Sequence, residues 1–578
     1  MANSIKKRGQ KFWRKFSRAS VKASSEGKEH IKENLVERIS HVHNVRLLVL
    51  EWGLLVVALI MLATTQAFWF GDSYAENVFT DGGTYTEATI GPVNSMNPLF
   101  AITDSEKTLS KLMFATISTI DYSGNPGNEL AGSITPNETG DQWTVKLRDG
   151  LQWSDGEPIT VDDVIFTAKL IQNPAVNTIY GADLANVKVQ KGEAGEVIFT
   201  LPTAYADFVS ALNFPIVPEH ILGNTDPKNL IENNFSNAPV TSGPFTFNAV
   251  QASAADGQKT VYLTANRDYF QGGPLLNTFA VHTYSDREEV IKALNSGLAT
   301  ATAELSGPEI QLVSAGQYNH KDSSLNSGAF IFFNLSHKVF KDANMRAAVR
   351  QGLDLEKIRG IATDTVALDF PLVESQIKLE TYPELPGRDF ESAKAKVAEL
   401  GGGEELNLDI ATVKSGYLPD VTNEIAAELE ALGFKVNVTT YEENQEFINN
   451  VVSKRSYDIL VYEVELGADP DLLPYYHSSQ AAESGLNLSN YKNAYVDDLL
   501  LGARDTLNLD LRVKKYEAFL AQWVSDVPAI GLYQPNLSYV YNKNVRTFSN
   551  DVKLVTAIDR FTDVTDWAVN KTTKNKTP

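Results

Sequence analysis

Between residues 463 and 471 the chain reads Glu463-Val-Glu465-Leu-Gly-Ala-Asp469-Pro-Asp471, four carboxylates within nine residues. Acids so closely spaced suit a cation carried by a ligand, such as a free amine. A charge-assisted hydrogen bond of that kind, partly shielded from water, contributes roughly 1.5–3 kcal/mol. The acid then sets orientation, while most of the affinity comes from apolar and aromatic burial. Tyr462, Tyr475 and Tyr476 are near enough in sequence to supply that surface. Tyr462, Glu463, Glu465 and Asp469 are therefore candidate ligand contacts. The same stretch also reads as a solvated acidic turn, since Asp-Pro is common turn chemistry, and the tyrosines as packing between elements.

Other reactive constellations are missing. The chain has no cysteine, which excludes disulfides, thiolate metal sites, cysteine nucleophiles and a lipid-modified cysteine anchor. It carries no Gly-x-Gly-x-x-Gly or Walker phosphate loop, no Gly-x-Ser-x-Gly elbow and no His-Glu-x-x-His helix. Gly401-Gly402-Gly403 is a bare helix stop. His30, His41 and His43 lie in a basic N-terminal arm, and His220, His282, His320, His337 and His477 are scattered. Scattered histidines are read as surface or satisfied core groups, so no metal and no cofactor is expected. Paired carboxylates serve glycosidases, but acid pairs are too common in a chain this acidic to mark an enzyme.

The elements that must position those acids belong to a long chain. Its 578 residues call for two or more lobes. With 43% apolar and 21% charged residues, the balance is globular. The net charge of −21 argues against a nucleic-acid partner. Residues 1–46 hold twelve Lys/Arg and four Glu, a net of +8, which leaves −29 on the remainder. Residues 47–70, LLVLEWGLLVVALIMLATTQAFWF, span roughly 36 Å as a helix at about 1.5 Å per residue, enough for a bilayer core of about 30 Å. Glu51 is the one charge, and Trp52, Phe68, Trp69 and Phe70 are spaced like an aromatic belt. The basic arm predicts a cytoplasmic N-terminus, a single-pass anchor in the cell membrane and a body on the extracellular side. A cleaved signal peptide ending near Thr65-Gln-Ala67 is the alternative; the long basic arm and long apolar stretch favour the anchor.

Beyond residue 81 no repeat is present, and the polar tail from Asn570 is expected to fray. Residues 142–148 alternate like a strand. Thr160 and Asp163 form a capping-box-like start, with Val161, Val164, Ile165 and Ala168 on one helical face. A second helix is expected from Asp342 through Met345, Val349 and Leu353. Residues 406–413 alternate as a strand, and Asp420 is placed to cap a helix carrying Val421, Ile425, Leu429 and Leu432. Gly433 suits its left-handed C-terminal stop. Phe434, Val436 and Val438 alternate again, a helix is expected near 444–452, and residues 457–464 form an apolar strand. This β-α-β-α-β order calls for parallel strands with right-handed crossovers. Ligands of such sheets sit outside the carboxyl ends of the strands, where the acid-rich stretch begins.

These segments, in this order, resemble the family 5 extracellular solute-binding proteins, the peptide and nickel class that feeds ABC importers. Gly83-Thr-Tyr-Thr-Glu-Ala and Asn94-Ser-Met-Asn97-Pro98 are similar to the family's first strand and Asn-Pro turn. Residues 144–164, TVKLRDGLQWSDGEPITVDDV, are very close to its signature. Thr241-Ser-Gly-Pro-Phe245, Asn266-Arg-Asp-Tyr269, Ala293-Leu-Asn-Ser-Gly297, Phe333-Asn334, residues 342–354, Tyr457-Asp458, Asp469-Pro-Asp471 and Ala529-Ile-Gly-Leu-Tyr533 follow in the expected order. The similarity extends from about residue 83 to 568.

The resemblance implies a two-lobed α/β clamshell of the type II, three-subdomain, periplasmic-binding-protein-like kind, behind the N-terminal transmembrane helix. Lobe I would take residues 82–289, with a subdomain at about 105–205 holding the Trp153 loop as packing, and would be completed by 525–568. Lobe II would be 290–524. Asn94 and Asn334, in matching blocks, join the candidate ligand contacts. Peptide binders of the family grip the ligand's amino terminus with an aspartate just beyond the Tyr457-Asp458 strand. In this chain that count lands near residues 465–467, so Glu465 or Asp469 would have to substitute. The implied function is capture of oligopeptides for an ABC permease, without catalysis. Another solute on the same fold, a sugar or metal chelate, is the runner-up, and an exported carboxylate-dependent hydrolase stands behind it.

Overall fold

The computed structural model describes residues 46–575 apart from 177, 182, 254–256, 443–444 and 484; side chains in 46–49, 67–77, 445 and 573–575 are also outside the description. Residues 1–45, all of the basic arm but Arg46, lie outside it. Contacts divide the chain into a small unit, Met1–Val78 with Lys571–Pro578, and a large one, Phe79–Asn570. The small unit carries a helix, Arg46–Tyr74, over the segment expected to span a membrane. The side chains described there, residues 50–66, are all exposed. Among the described residues, which in this helix have side chains only over 50–66, no helix is long and apolar enough to cross a membrane. The tail expected to fray is instead a strand, Asn570–Asn575, paired with Ala75–Thr80. The polar run Asn-Lys-Thr-Thr-Lys-Asn holds an extended chain once a partner strand takes the backbone hydrogen bonds.

In the large unit, the strand Thr84–Ile90 lies near the middle of a seven-stranded sheet, parallel to both Thr278–Tyr284 and Ala301–Thr302. Lys259–Ala265 and Phe245–Ala252 extend it on one side, and Asn536–Asn542 and Tyr318–Ser324 on the other. One face buries Tyr85, Phe279, Val281 and Trp567. The other packs the helix Arg287–Ser296 through Val290 and Leu294. The first of those cores continues into a four-stranded sheet whose strands Ala131–Pro136, Gln142–Leu147, Val197–Thr200 and Lys188–Lys191 meet the helix Val161–Ile171. That helix starts as its sequence requires. The Thr160 hydroxyl accepts from the backbone and the Asp163 carboxylate answers on the Thr160 N–H at 2.8 Å. Trp153 is 2% exposed, in the packing role expected.

The second lobe is a six-stranded sheet ordered Val366–Ala367, Ala529–Gln534, Ser327–Phe333, Ile459–Glu465, Asn407–Val413, Lys435–Tyr441. Its last three strands are parallel, as the 406–464 pattern predicts. The intervening helix, Leu418–Leu432, ends on Gly433 at φ 111°, a left-handed conformation that glycine adopts without a Cβ clash. Asp420 does not cap it. The helix begins earlier, with Pro419 preset in its first turn, and the Tyr417 side chain at the cap makes no capping bond to the helix backbone. Residues 445–452 form a short helix, Gln445–Phe447, followed by a π-helical turn, Ile448–Val452.

The chain passes between lobes twice, side by side. One strand pair, Tyr318–Ser324 then Ser327–Phe333, changes sheets at Leu325-Asn326; the other, Ala529–Gln534 then Asn536–Asn542, changes at Pro535. The Leu325 N–H donates to the Pro535 carbonyl at 3.0 Å, and Gln534 Nε2 donates to the Leu325 carbonyl at 2.7 Å. The expected boundaries at 290 and 525 therefore move. Residues 290–324 complete the first lobe, and Ala529–Gln534 belongs to the second. Long-range pairing decided this, because Ala301–Thr302 sits between strands more than two hundred residues apart in sequence.

Candidate functional site

A cavity opens where the two crossings meet, lined by both lobes and by the crossing residues Leu325, Pro535 and Asn536. The first lobe contributes Arg287 and Glu304; the second contributes Asp364, Tyr417, Glu463 and Tyr533. Tyr417 arrives through the loop that follows the parallel strand Asn407–Val413, and Glu463 through the last turns of Ile459–Glu465. Both lie at carboxyl ends of parallel strands, where the crossover geometry leaves a crevice.

The lining is acidic. Burial, reinforced by the Asp104 carboxylate, pushes the Glu304 carboxyl up to about 7, although the Ile90 N–H and the Arg560 guanidinium pull the other way. Arg287 does not neutralise it: its Nε donates to the Glu304 carbonyl at 3.0 Å and stands 3.7 Å from Glu309. Burial, and then the charge of Glu463, raises the Tyr533 hydroxyl, which stays protonated. The Tyr417 and Thr363 hydroxyls share a hydrogen bond of 2.9 Å. Acids on two walls, tyrosine hydroxyls between them and one arginine at the rim favour a ligand carrying positive charge and amide groups.

Of the residues expected from sequence, Glu463 alone lines this cavity. Tyr462 points to the other side of its strand, its ring 5.9 Å from Phe447. Glu465 is exposed beyond the cavity, and its carbonyl accepts from the Tyr475 hydroxyl. Tyr476 is core, packed on Phe519 and Trp523. Asn94 is exposed and its N–H donates to Glu106 Oε1 at 2.8 Å. Asn334 lies at the far end of its strand from Glu465, since Ser327 pairs with Glu465 but Phe333 with Ile459. Its amide donates to the carbonyls of Tyr457 and Arg455 and accepts from Asn490, so it braces the scaffold.

Asp469 turns the opposite way from Glu463. Gln376 Nε2 holds the carbonyls of Leu466, Gly467 and Asp469, and the Asp469 carboxylate accepts from Arg512 Nη2 at 2.6 Å. Asp471 stands 3.5 Å from Arg504. Arg504 in turn reaches the first lobe: its guanidinium lies 4.3 Å from the Tyr205 ring centre, and its carbonyl accepts from the Ala206 N–H at 2.8 Å. The acid-rich stretch thus divides between the cavity and a separate contact between lobes. Sequence gave no sign of Glu304, Arg287 or Asp364; Tyr417 and Tyr533 were signalled only by their places after and within sheet strands. Among the described residues no group of three His, Cys, Asp or Glu is placed to hold a metal ion.

Over residues 125–484 the chain matches the family described as "Bacterial extracellular solute-binding proteins, family 5 Middle". The chain belongs to this family. Among curated relatives of this family 5 solute-binding protein, the oligopeptide-binding protein AppA of Bacillus subtilis (strain 168) is 27% identical over 493 residues, 81% of this chain and 89% of AppA. The nickel-binding protein NikA of Staphylococcus aureus is 21% identical over 426 residues, 72% of this chain and 80% of NikA. The solved structure of B. subtilis AppA in complex with a nonapeptide superposes with a TM-score of 0.71 at 24% identity, over 85% of this chain and 100% of that one. The two-lobed α/β fold is common to both.

Proposed function

We propose that this family 5 solute-binding protein captures oligopeptides between its lobes and hands them unchanged to an ABC permease. The observation that carries the reading is the cavity at the double crossing, where Glu304 of one lobe and Glu463 of the other face one space. A peptide's free amine, or a lysine or arginine side chain, would bring a cation into the space these acids face. Tyr417 and Tyr533 add ring surface and hydroxyls for the peptide groups. Ligand favours closure by contacting both lobes at once, which only the closed arrangement allows. The relation to AppA, named as an oligopeptide binder, supports the same ligand class.

The helix Arg46–Tyr74 is proposed as a membrane anchor that holds the body outside the cell. Supporting this are the exposed apolar side chains along it, including Leu54, Leu59, Ile60, Met61 and Leu62, and the basic residues that precede it in sequence. Calorimetric titration of the full chain with peptides of two to nine residues tests the ligand class. Stoichiometric binding without hydrolysis is expected. Turnover of the peptide, or binding of sugars or nickel–histidine but of no peptide, would overturn the reading.

A further inference from the structure

We propose that residues Tyr205–Asp207 of the first lobe and Asp469, Asp471, Arg504 and Arg512 of the second form a clasp, separate from the ligand cavity, whose closing takes up a proton from solvent. The contact joins the lobes directly. Arg504 is stacked on Tyr205, and the Ala206 N–H donates to its carbonyl at 2.8 Å. Leu507 reaches across to Gly140, where an added Cβ would lie 3.8 Å from it. The charges at this contact do not balance. Asp207 enters from the first lobe against Asp469 and Asp471, while the second lobe supplies two guanidinium groups. Arg512 already donates Nη2 to both Asp469 oxygens, and its Nε meets no acceptor among the described residues; Arg504 serves Asp471. Asp207 accepts from the Ser210 hydroxyl of its own element.

The groups facing Asp207 fix the sign. Burial and the Asp469 carboxylate push it up to about 7; the Ser210 hydroxyl and Arg512 oppose them, and Asp471 adds to the rise. The nearby Tyr205 and Tyr516 hydroxyls are themselves raised by burial and carry no charge at neutral pH. Asp183, on the first lobe, faces Arg504. When the lobes part, Asp207 is rehydrated and its value falls towards about 3.9. The closed state therefore binds more protons. Closing is easiest below the open-state value, weakens as pH rises, and stops changing above about 7.

The test uses the full chain, which has no cysteine to interfere with labelling. Spin labels on K188C and D498C, one exposed site on each lobe, report the interlobe distance without ligand from pH 5 to pH 8. The closed-to-open ratio should fall about tenfold per pH unit between pH 5 and about 6.5 and then level. In D207N, and in D207S as a second neutral variant, the slope should vanish and the closed state should persist at pH 8. A wild-type ratio constant within twofold, or variants that keep the wild-type slope, would overturn the clasp. The inference rests on the capture reading only in taking the lobes to open and close. If no peptide binds yet the distance follows pH, capture fails and the clasp stands; if peptide binds and the distance ignores pH, the reverse holds.

Discussion

Gly307 of the first lobe approaches Asp364 of the second so closely that a Cβ built on Gly307 would stand 2.5 Å from Asp364 Oδ2. The same Cβ would lie 3.4 Å from Thr363 Oγ1 and 3.6 Å from the Tyr417 hydroxyl. All these residues line the cavity. A side-chain-free position at the rim lets the two walls meet.

Gly307→Val should therefore hold the lobes apart without disturbing either core. Overpacking of this kind costs about 1–3 kcal/mol, and since it acts on closure, peptide affinity should fall about tenfold or more. Titration calorimetry measures the affinity and a thermal melt checks the fold. A melting point well below wild type, with affinity unchanged, would place the strain inside one lobe.

Glu463→Gln and Glu304→Gln each remove a negative wall of the cavity. Either change should weaken binding of a peptide with a free amino terminus by roughly 1.5–3 kcal/mol. A peptide acetylated at that end should lose far less if the amine is the partner. Equal losses for both peptides would show that the acids act on something else.

Glu304 also gives ligand binding its own pH signature. Held up to about 7 by burial in the cavity wall, it is protonated below that value and must ionise to meet a cation. Its contribution to affinity should grow as pH rises towards about 7, opposite in sign to the clasp. Comparing wild type with E304Q at pH 6 and pH 8 isolates it: the wild-type advantage should be larger at pH 8.

Deep in the first lobe Arg560, 4% exposed, pairs at 3.0 Å with Glu87, which is fully buried. The Tyr539 hydroxyl donates to the other Glu87 oxygen at 2.6 Å and shares a hydrogen bond with Tyr85. Arg560→Met leaves the buried Glu87 without its counter-charge, and breaking such a pair costs about 3–5 kcal/mol. Urea denaturation should show the loss; a midpoint within error of wild type would refute it.

At Gly531, in the strand Ala529–Gln534, a Cβ would fall 2.4 Å from the Leu368 carbonyl. That oxygen is backbone and Arg359 donates to it at 2.9 Å, so it has little room to retreat. Gly531→Ala should destabilise the second lobe by about 1–3 kcal/mol, visible as a lower melting temperature at unchanged ligand stoichiometry.

How far these features could be read from the chain depends on the range of the interaction. Thr160 and Asp163, three residues apart, announce a helix start because both partners of the capping box are local. Gly433 announces a helix end because its backbone needs no distant support. The alternating strands of 406–464 reveal a parallel sheet, and with it the crevice that holds Tyr417 and Glu463. Asp420 misleads as a cap, because Pro419 and the residues before it can already begin the turn.

The acid-rich stretch shows the limit most clearly. Glu463 and Asp469 are six residues apart, yet one faces the cavity and the other is drawn to Arg512, forty-three residues further on. Glu304 became a cavity wall only because Ala301–Thr302 inserts between Thr84–Ile90 and Asn536–Asn542. By itself the sequence determined the family, the α/β class, the local caps and strands, and the acidic character of the body, because those follow from composition, short-range periodicity and motif order. Which acids face one another, where the chain crosses between lobes and which aspartate meets which arginine were decided by tertiary structure. Coulomb energy and burial depend on distance in space, and pairing across hundreds of residues sets that distance.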